Sequence, residues 1–297
     1  MGWNKIRRST VIALLIASTV TVAAAPVVQP LPTRHVPDGT IDIGKDAVSH
    51  PSVHAYLEEY RSPAGLRGLQ NSLNDGLPYW RHIETVFHEY GLPKQLVYVA
   101  LIESGFDPHA VSRSGAVGIW QFMDHSVEDW MIINSEIDER RDFYRSTIGA
   151  AEKLRHNYLV FNDWLLAIAA YNAGVGHIRR ALEETGSSTY WDLLGTDTLP
   201  DQTRSYVPRF IAVSYLAGRA GRYGLIHSRN QSPEWRRVAV PPRTGFSYLS
   251  ERSGIPPSVL MEWNPQFHPS AVRSGTETTT YINVSGAYFE RFDWLSD

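Results

Sequence analysis

Residues 96–105 read Leu96-Val97-Tyr98-Val99-Ala100-Leu101-Ile102-Glu103-Ser104-Gly105, an uncharged run that ends on a carboxylate. A stretch this apolar predicts an element buried on nearly every side. Gly91 and Pro93 mark its start and Gly105 and Pro108 its end, the punctuation of a helix spanning 93–104. An acid in the last turn of such a helix lies at the negative end of the helix dipole and in poor solvent. Both effects disfavour the carboxylate and raise its pKa, so Glu103 is positioned to stay protonated near neutral pH. The alternative is a glutamate that surfaces at the helix end and does nothing.

The 297 residues are enough for one large domain or two smaller ones, and 43% hydrophobic with 11% aromatic content marks a folded chain. Residues 1–25 stand apart. Lys5, Arg7 and Arg8 precede the uncharged stretch Val11–Val22, and Val22-Ala23-Ala24 offers a small-residue cleavage site ahead of Ala25-Pro26. This is the pattern of a signal peptide, and the run is short for a membrane span of about 20 residues. The expectation is export to the periplasm or cell envelope, with an uncleaved N-terminal anchor as the alternative. There is no cysteine, so neither disulfides nor a lipidated cysteine are expected. The formal charge of −3 becomes more negative if the signal leaves with its three cations, which argues against a nucleic-acid binder.

Residues 26–46, with Pro26, Pro30, Pro32 and Pro37, read as an extended linker. From 47 to 224 the pattern is helical, with apolar residues at three- and four-residue spacing over 78–90, 93–104, 142–158, 163–173, 175–185 and 207–220. Gly91, Gly105, Gly174, Gly186 and Gly221 follow these segments as C-caps. A short strand is the only other candidate, around Ile119–Phe122. After Gly224 the composition changes, and 237–297 reads as a second module: strand Val238–Val240, helices Phe246–Ser253 and Pro257–Trp263, strand Thr279–Val284. The fold class is therefore mainly α, followed by a small α+β module.

Three polar groups end apolar helices. Beyond Glu103, Gly115 and Gly118 permit sharp turns that fold the chain back over the helix end, carrying Gln121 between Trp120 and Phe122. Tyr171-Asn172 closes the run Trp164–Ala170, and Tyr206 precedes Pro208 near a helix N-terminus. Each alone also reads as ordinary structure: a tucked aromatic loop, a helix stop, a core tyrosine. Together they describe one acid among tyrosines and amides, without lysine, suited to a neutral or sugar-like ligand. The histidines show no metal-ligand spacing beside a carboxylate, and no phosphate loop is present, so neither metal nor cofactor is expected. Ser104-Gly105 lacks the context of a nucleophilic serine.

The runs Glu103-Ser104-Gly105-Phe106-Asp107-Pro108, Gly115-Ala116-Val117-Gly118-Ile119-Trp120-Gln121-Phe122-Met123, Ala170-Tyr171-Asn172-Ala173-Gly174 and Thr203-Arg204-Ser205-Tyr206-Val207 resemble, in order, the motifs of family 1 lytic transglycosylases (the SLT domain), most of all the membrane-bound D branch. The resemblance covers roughly 75–220. It implies a lysozyme-like helical fold and action on the MurNAc–GlcNAc strands of peptidoglycan. It makes Glu103 the catalytic acid/base, with Ser112, Gln121, Met123, Tyr171 and Tyr206 lining the groove and Asn172 in a structural role. Glycosidases that use water need two carboxylates, about 5–10 Å apart; a lytic transglycosylase needs one and no cofactor. The C-terminal module resembles a degenerate LysM domain through Leu260, Trp263, Asn264 and Pro265, but Arg243-Thr244-Gly245-Phe246 replaces the usual Gly-Asp-Thr-Leu, so anchoring to the wall through glycan is left open. Two rivals stand beside this reading. A lysozyme-type hydrolase would draw its second acid from Asp107, Asp124 or Asp138. A non-catalytic wall-binding protein would keep the groove and use the C-terminal module as its anchor. Oligomeric state is not assigned.

Overall fold

The computed structural model describes residues 40–41, 45–127, 130–226 and 231–295. The expected signal segment and most of the linker lie outside the described residues. The helical region runs α1 (Lys45–Ser49), α2 (Pro51–Arg61), α3 (Pro63–Glu89), α4 (Val97–Ser104), α5 (Phe143–Phe161), α6 (Trp164–Ala173), α7 (Val175–Thr185), α8 (Tyr190–Leu194) and α9 (Asp201–Ala217). As the apolar run at 96–102 demands, α4 is the buried centre, with every residue from Val97 to Ile102 out of solvent. It packs against α3 and α9.

Two helices are longer than their periodicity suggested, and both contain a proline. The α3 helix was expected to begin at 78, yet it spans 27 residues with Pro78 inside. Its buried stripe, Leu69, Leu73, Gly76, Trp80, Ile83 and Phe87, keeps helical spacing straight through the proline. Tertiary burial therefore outweighs the local penalty. The α9 helix begins at Asp201 rather than 207, so Pro208 lies in its interior and Tyr206 in its second turn, not at an N-terminus. Proline cannot donate to the carbonyl four residues earlier. That carbonyl, on Arg204, instead accepts the Tyr190 hydroxyl at 3.1 Å, so α8 supplies the missing donor. The end of α9 also moves: the helix stops at Ala217 with Gly218 as its cap, and Gly221 falls inside a 3₁₀ turn, Ala220–Tyr223. Residues 119–122 make isolated bridges (Val117 with Phe122) and no strand.

The C-terminal module has β1 (Trp235–Val240), α10 (Phe246–Ser253), α11 (Pro257–Trp263), α12 (Pro269–Ser274) and β2 (Thr280–Ser285). The expected strand–helix–helix–strand order holds, with α12 added and β1 starting earlier. The strands pair antiparallel, Trp235 opposite Ser285 and Val240 opposite Thr280. Val238, Leu249, Leu260, Ile282 and Val284 form a hydrophobic cluster of their own. Asn264 is buried and acts as a staple: its Oδ1 accepts the Asn283 N–H at 2.6 Å and its Nδ2 donates to the Leu260 and Asn283 carbonyls. The described residues nevertheless fall in one compact unit, 34–297.

The segment 132–142 joins the two clusters. Ile137 bridges Phe267, Asp138 N–H donates to the Gln266 carbonyl at 2.9 Å, and His268 N–H donates to the Glu136 carbonyl at 2.8 Å. At its end the fully buried Asp142 caps α5 by accepting the Tyr144 N–H, and also accepts Asn283 Nδ2 at 2.9 Å and the Arg237 guanidinium at 3.2 Å.

Beside this joint His82 is buried, stacked on Tyr144 with ring centroids 4.0 Å apart. Burial lowers its pKa from 6.5 to about 4. A folded-state pKa below the unfolded value means that the stability contributed by neutral His82 is complete above about pH 6.5. It is lost as pH falls toward 4, by about 3 kcal/mol. Urea midpoints of the parent and His82→Gln should therefore converge between pH 7 and pH 4.5; a gap that stays constant would contradict a neutral buried imidazole.

Candidate active site

Glu103 is the penultimate residue of α4. The helix stops there because two successive residues, Gly105 (φ 65°) and Phe106 (φ 68°), turn left-handed. Phe106 tolerates this conformation because its ring is buried against Trp80 and beneath Gly76, where a Cβ would come within 2.7 Å of it. The following loop does fold back over the helix end. Ser104 Oγ donates to the Ile119 carbonyl at 3.0 Å, Trp120 Nε1 donates to Thr147 of α5 at 3.0 Å, and the Trp120 carbonyl accepts the Tyr171 hydroxyl at 2.9 Å. Gly118 (φ 80°) has no substitute, since a Cβ would sit 1.9 Å from the Arg140 carbonyl. Arg140 is itself pinned by a bidentate pair with Asp138, so segment 132–142 supports the turn from behind.

Glu103, Ser112 and Gln121 line an open cleft of about 620 Å³ with Tyr60, Ser72 and Arg209. The Gln121 amide nitrogen donates to the Gly118 carbonyl at 2.9 Å, which fixes the side chain. Ser112 Oγ accepts the Ala116 N–H at 2.9 Å. Tyr206 reaches Glu103 from α9, its hydroxyl donating to Oε1 at 2.5 Å. Tyr206 is itself buried behind Glu103 and, like the other three expected residues, does not line this cleft. Tyr171 is buried, its hydroxyl committed to Trp120. Asn172 accepts the Thr203 hydroxyl at 2.8 Å, tying α6 to α9. The Met123 carbonyl accepts the Ser126 hydroxyl at the start of a 3₁₀ turn.

Burial raises the Glu103 pKa from 4.5 to about 7, against the opposing pull of the Tyr206 hydrogen bond, Lys153 and Arg209. Of the two causes expected from sequence, poor solvation is the one that dominates. Lys153 corrects the expectation of a site without lysine. Its ammonium lies 4.3 Å from the Tyr171 ring centroid, and burial lowers its pKa while Glu103 raises it. The signal was present in the sequence: Lys153 lies on the same stripe as Ser146, Gly149, Ala150 and Asn157, all buried. Arg209, one turn after Tyr206, was likewise unremarked.

The three aspartates weighed as second acids are held elsewhere. Asp107 accepts the His109 N–H at 2.8 Å in a turn, Asp138 pairs with Arg140, and Asp124 is exposed in a 3₁₀ turn. Among the described residues, the other carboxylate lining the cleft is Glu59, exposed on α2. No group of His, Cys, Asp and Glu side chains among the described residues is arranged to hold a metal.

Fold and site together define a helical domain built around one protonatable carboxyl in an open cleft. Comparison with known proteins finds that residues 83–194 match the family model of the Transglycosylase SLT domain. Membrane-bound lytic murein transglycosylase D of Escherichia coli K12 is 32% identical over 214 residues, covering 70% of this chain and 46% of that protein. Membrane-bound lytic murein transglycosylase F 1 of Alkalilimnicola ehrlichii is 31% identical over 126 residues, 39% of this chain and 24% of that one. Among solved structures, an inactive mutant of lytic transglycosylase Slt from Pseudomonas aeruginosa aligns at 22% identity with a TM-score of 0.41, covering 51% of this chain and 26% of that one. The chain thus spans less than half the length of each of these three proteins.

Proposed function

We propose that this chain is a peptidoglycan lytic transglycosylase that cleaves the β-1,4 bond between MurNAc and GlcNAc without water, on a lysozyme-like helical domain spanning 47–224. Protonated Glu103 donates to the bridging oxygen as the bond to C1 breaks. The resulting carboxylate takes the proton of the MurNAc C6 hydroxyl as that oxygen attacks C1, closing a 1,6-anhydro ring. One group serves as acid and then as base, which requires a pKa near the working pH. The observation that carries the reading is the combination of a Glu103 pKa of about 7 with the Tyr206 hydroxyl at 2.5 Å. Burial keeps the proton on before the reaction, while Tyr206, Lys153 and Arg209 stabilise the carboxylate once the proton has left. In this reading Gln121 and Ser112, which line the cleft, hold hydroxyl and acetamido groups of the glycan.

Glu59 provides the test against a hydrolase, because a water-using enzyme of this layout would need it as the second carboxylate. Glu59→Gln is expected to retain fragment release from sacculi within about threefold, and a loss of 100-fold or more would favour the two-acid mechanism. We further propose that residues 1–25 direct export to the envelope. Among the described residues no helix is long and apolar enough to cross a membrane. The C-terminal module, 237–297, is read as LysM-like and as a contact to the wall.

A further inference from the structure

A second cleft, of about 380 Å³, opens where the C-terminal module meets α3. Tyr79 and Phe143 wall it on the helical side, with ring centroids 5.0 Å apart. Trp235 and Trp263 wall it on the other, edge to face at 5.8 Å. Its walls are preformed. The Trp235 indole N–H donates to the Pro78 carbonyl at 2.6 Å, and the ring packs 4.9 Å from Phe143. Two residues along β1, Arg237 holds the same module to Asp142. Asn74, Gln231, Glu262 and Ser285 add polar groups among the aromatic surfaces.

That composition selects a ligand class. Aromatic faces at fixed positions suit the apolar faces of pyranose rings, and amide, hydroxyl and carboxylate groups suit their hydroxyl and acetamido substituents. The charged side chain lining the cleft is Glu262, which repels anions and leaves neutral sugars favoured. Tyr79, its pKa raised to about 12 chiefly by burial, keeps its proton and remains a donor at any working pH. Concave aromatic sites of this kind gain affinity because their side chains are already ordered.

We propose that this cleft binds a neutral N-acetylhexosamine stretch of glycan, so that the helical domain and the C-terminal module grip the strand together at a second place outside the Glu103 cleft. The inference rests on the proposed action on peptidoglycan and goes beyond it by assigning a non-catalytic glycan site shared by both parts of the chain.

The test uses the full chain carrying Glu103→Gln, titrated calorimetrically with the neutral tetramer of N-acetylglucosamine. Two classes of site are expected. Adding Trp263→Ala should weaken one of them about tenfold, the amount an aromatic stacking contact supplies, and leave the other unchanged. Asn74→Trp plugs the cleft from the exposed face of α3 without touching the C-terminal core and should have the same effect, so it decides the matter if Trp263→Ala fails to fold. Identical isotherms for the parent and the folded cleft variants would overturn the proposal, as would binding of free stem peptide in place of the tetramer. Failure here is distinguishable from failure of the enzymatic reading. If Glu103→Gln still digests sacculi, the acid–base assignment falls whatever the tetramer does. If only the cleft variants are silent, that assignment stands.

Discussion

Glu103→Gln is expected to lower the release of soluble fragments from sacculi by roughly 100- to 10,000-fold, the range that a lost general acid–base accounts for. The substitution keeps the shape of the side chain and an oxygen to accept from Tyr206, so the cleft should still bind glycan. The same variant has a second signature. Glu103 has a folded-state pKa of about 7 against 4.5 for an unperturbed glutamate. The folded protein therefore holds the proton more tightly than the unfolded chain does. The acid is tolerated without penalty at low pH, and stability is lost as pH rises from about 4.5 through 7. Above that range the buried carboxylate costs about 2–3 kcal/mol. Glu103→Gln removes this cost, so its stability should exceed that of the parent at pH 8 and approach it at pH 4.5. Activity of the parent should fall as pH rises through about 7, because the reaction begins with the proton on. Urea unfolding at the two pH values checks the stability claim. Equal pH profiles for the two chains would mean that the carboxyl is not buried as described.

Asp142→Ala is expected to cost about 3–5 kcal/mol, the loss usual when one partner of a buried charged pair is removed. Three donors depend on this carboxylate: the Tyr144 N–H at the start of α5, Asn283 Nδ2 on β2 and the Arg237 guanidinium on β1. The alanine leaves all three without it, with Asn283 fully buried and Arg237 largely so. The consequence should reach the cleft. Asp142 closes segment 132–142, and the Arg140 carbonyl of that segment lies directly behind Gly118. A loosened segment frees the turn that holds Gln121, so KM for glycan should rise in the folded fraction while the pH at which activity falls stays near 7. Asp142→Asn retains an acceptor for Tyr144 and should recover part of the stability. A loss below about 1 kcal/mol for the alanine would show that the two hydrophobic clusters hold together without this joint.

Much of this architecture was legible in the chain because hydrophobic period and punctuation agree. The run at 96–102, bracketed by Pro93 and Gly105, gave a buried central helix with its acid at the correct end. The left-handed turns at Gly105 and Gly118 followed from the glycines themselves. What local rules obscured was decided by tertiary contacts. Pro78 and Pro208 look like helix starts, but Trp80 and Ile83 carry the buried stripe past one of them, and the Tyr190 hydroxyl compensates for the other. Of the candidate site residues, Glu103, Ser112 and Gln121 come together at one cleft, and Tyr206 reaches Glu103 from behind it. Tyr171, expected to line the groove, is buried with its hydroxyl on the Trp120 carbonyl, a pairing that no sequence pattern shows. Lys153 was overlooked because a lysine reads as solvent-facing until its position on a buried stripe is counted. The joint at Asp142 was invisible for a related reason: its partners Arg237 and Asn283 lie far along the chain, and their pairing depends on how β1 and β2 approach α5.

The most direct test of the central claim is the mass of the fragments released from purified sacculi. A single carboxyl acting as acid and then base, with the C6 hydroxyl as nucleophile, must release MurNAc ends that are lighter by one water than hydrolysed ends and resist borohydride reduction. Muropeptides of anhydro mass as the main product, absent with Glu103→Gln, are the result expected here. Reducible MurNAc ends at the full hydrolysed mass would contradict it and make the protein a two-acid hydrolase.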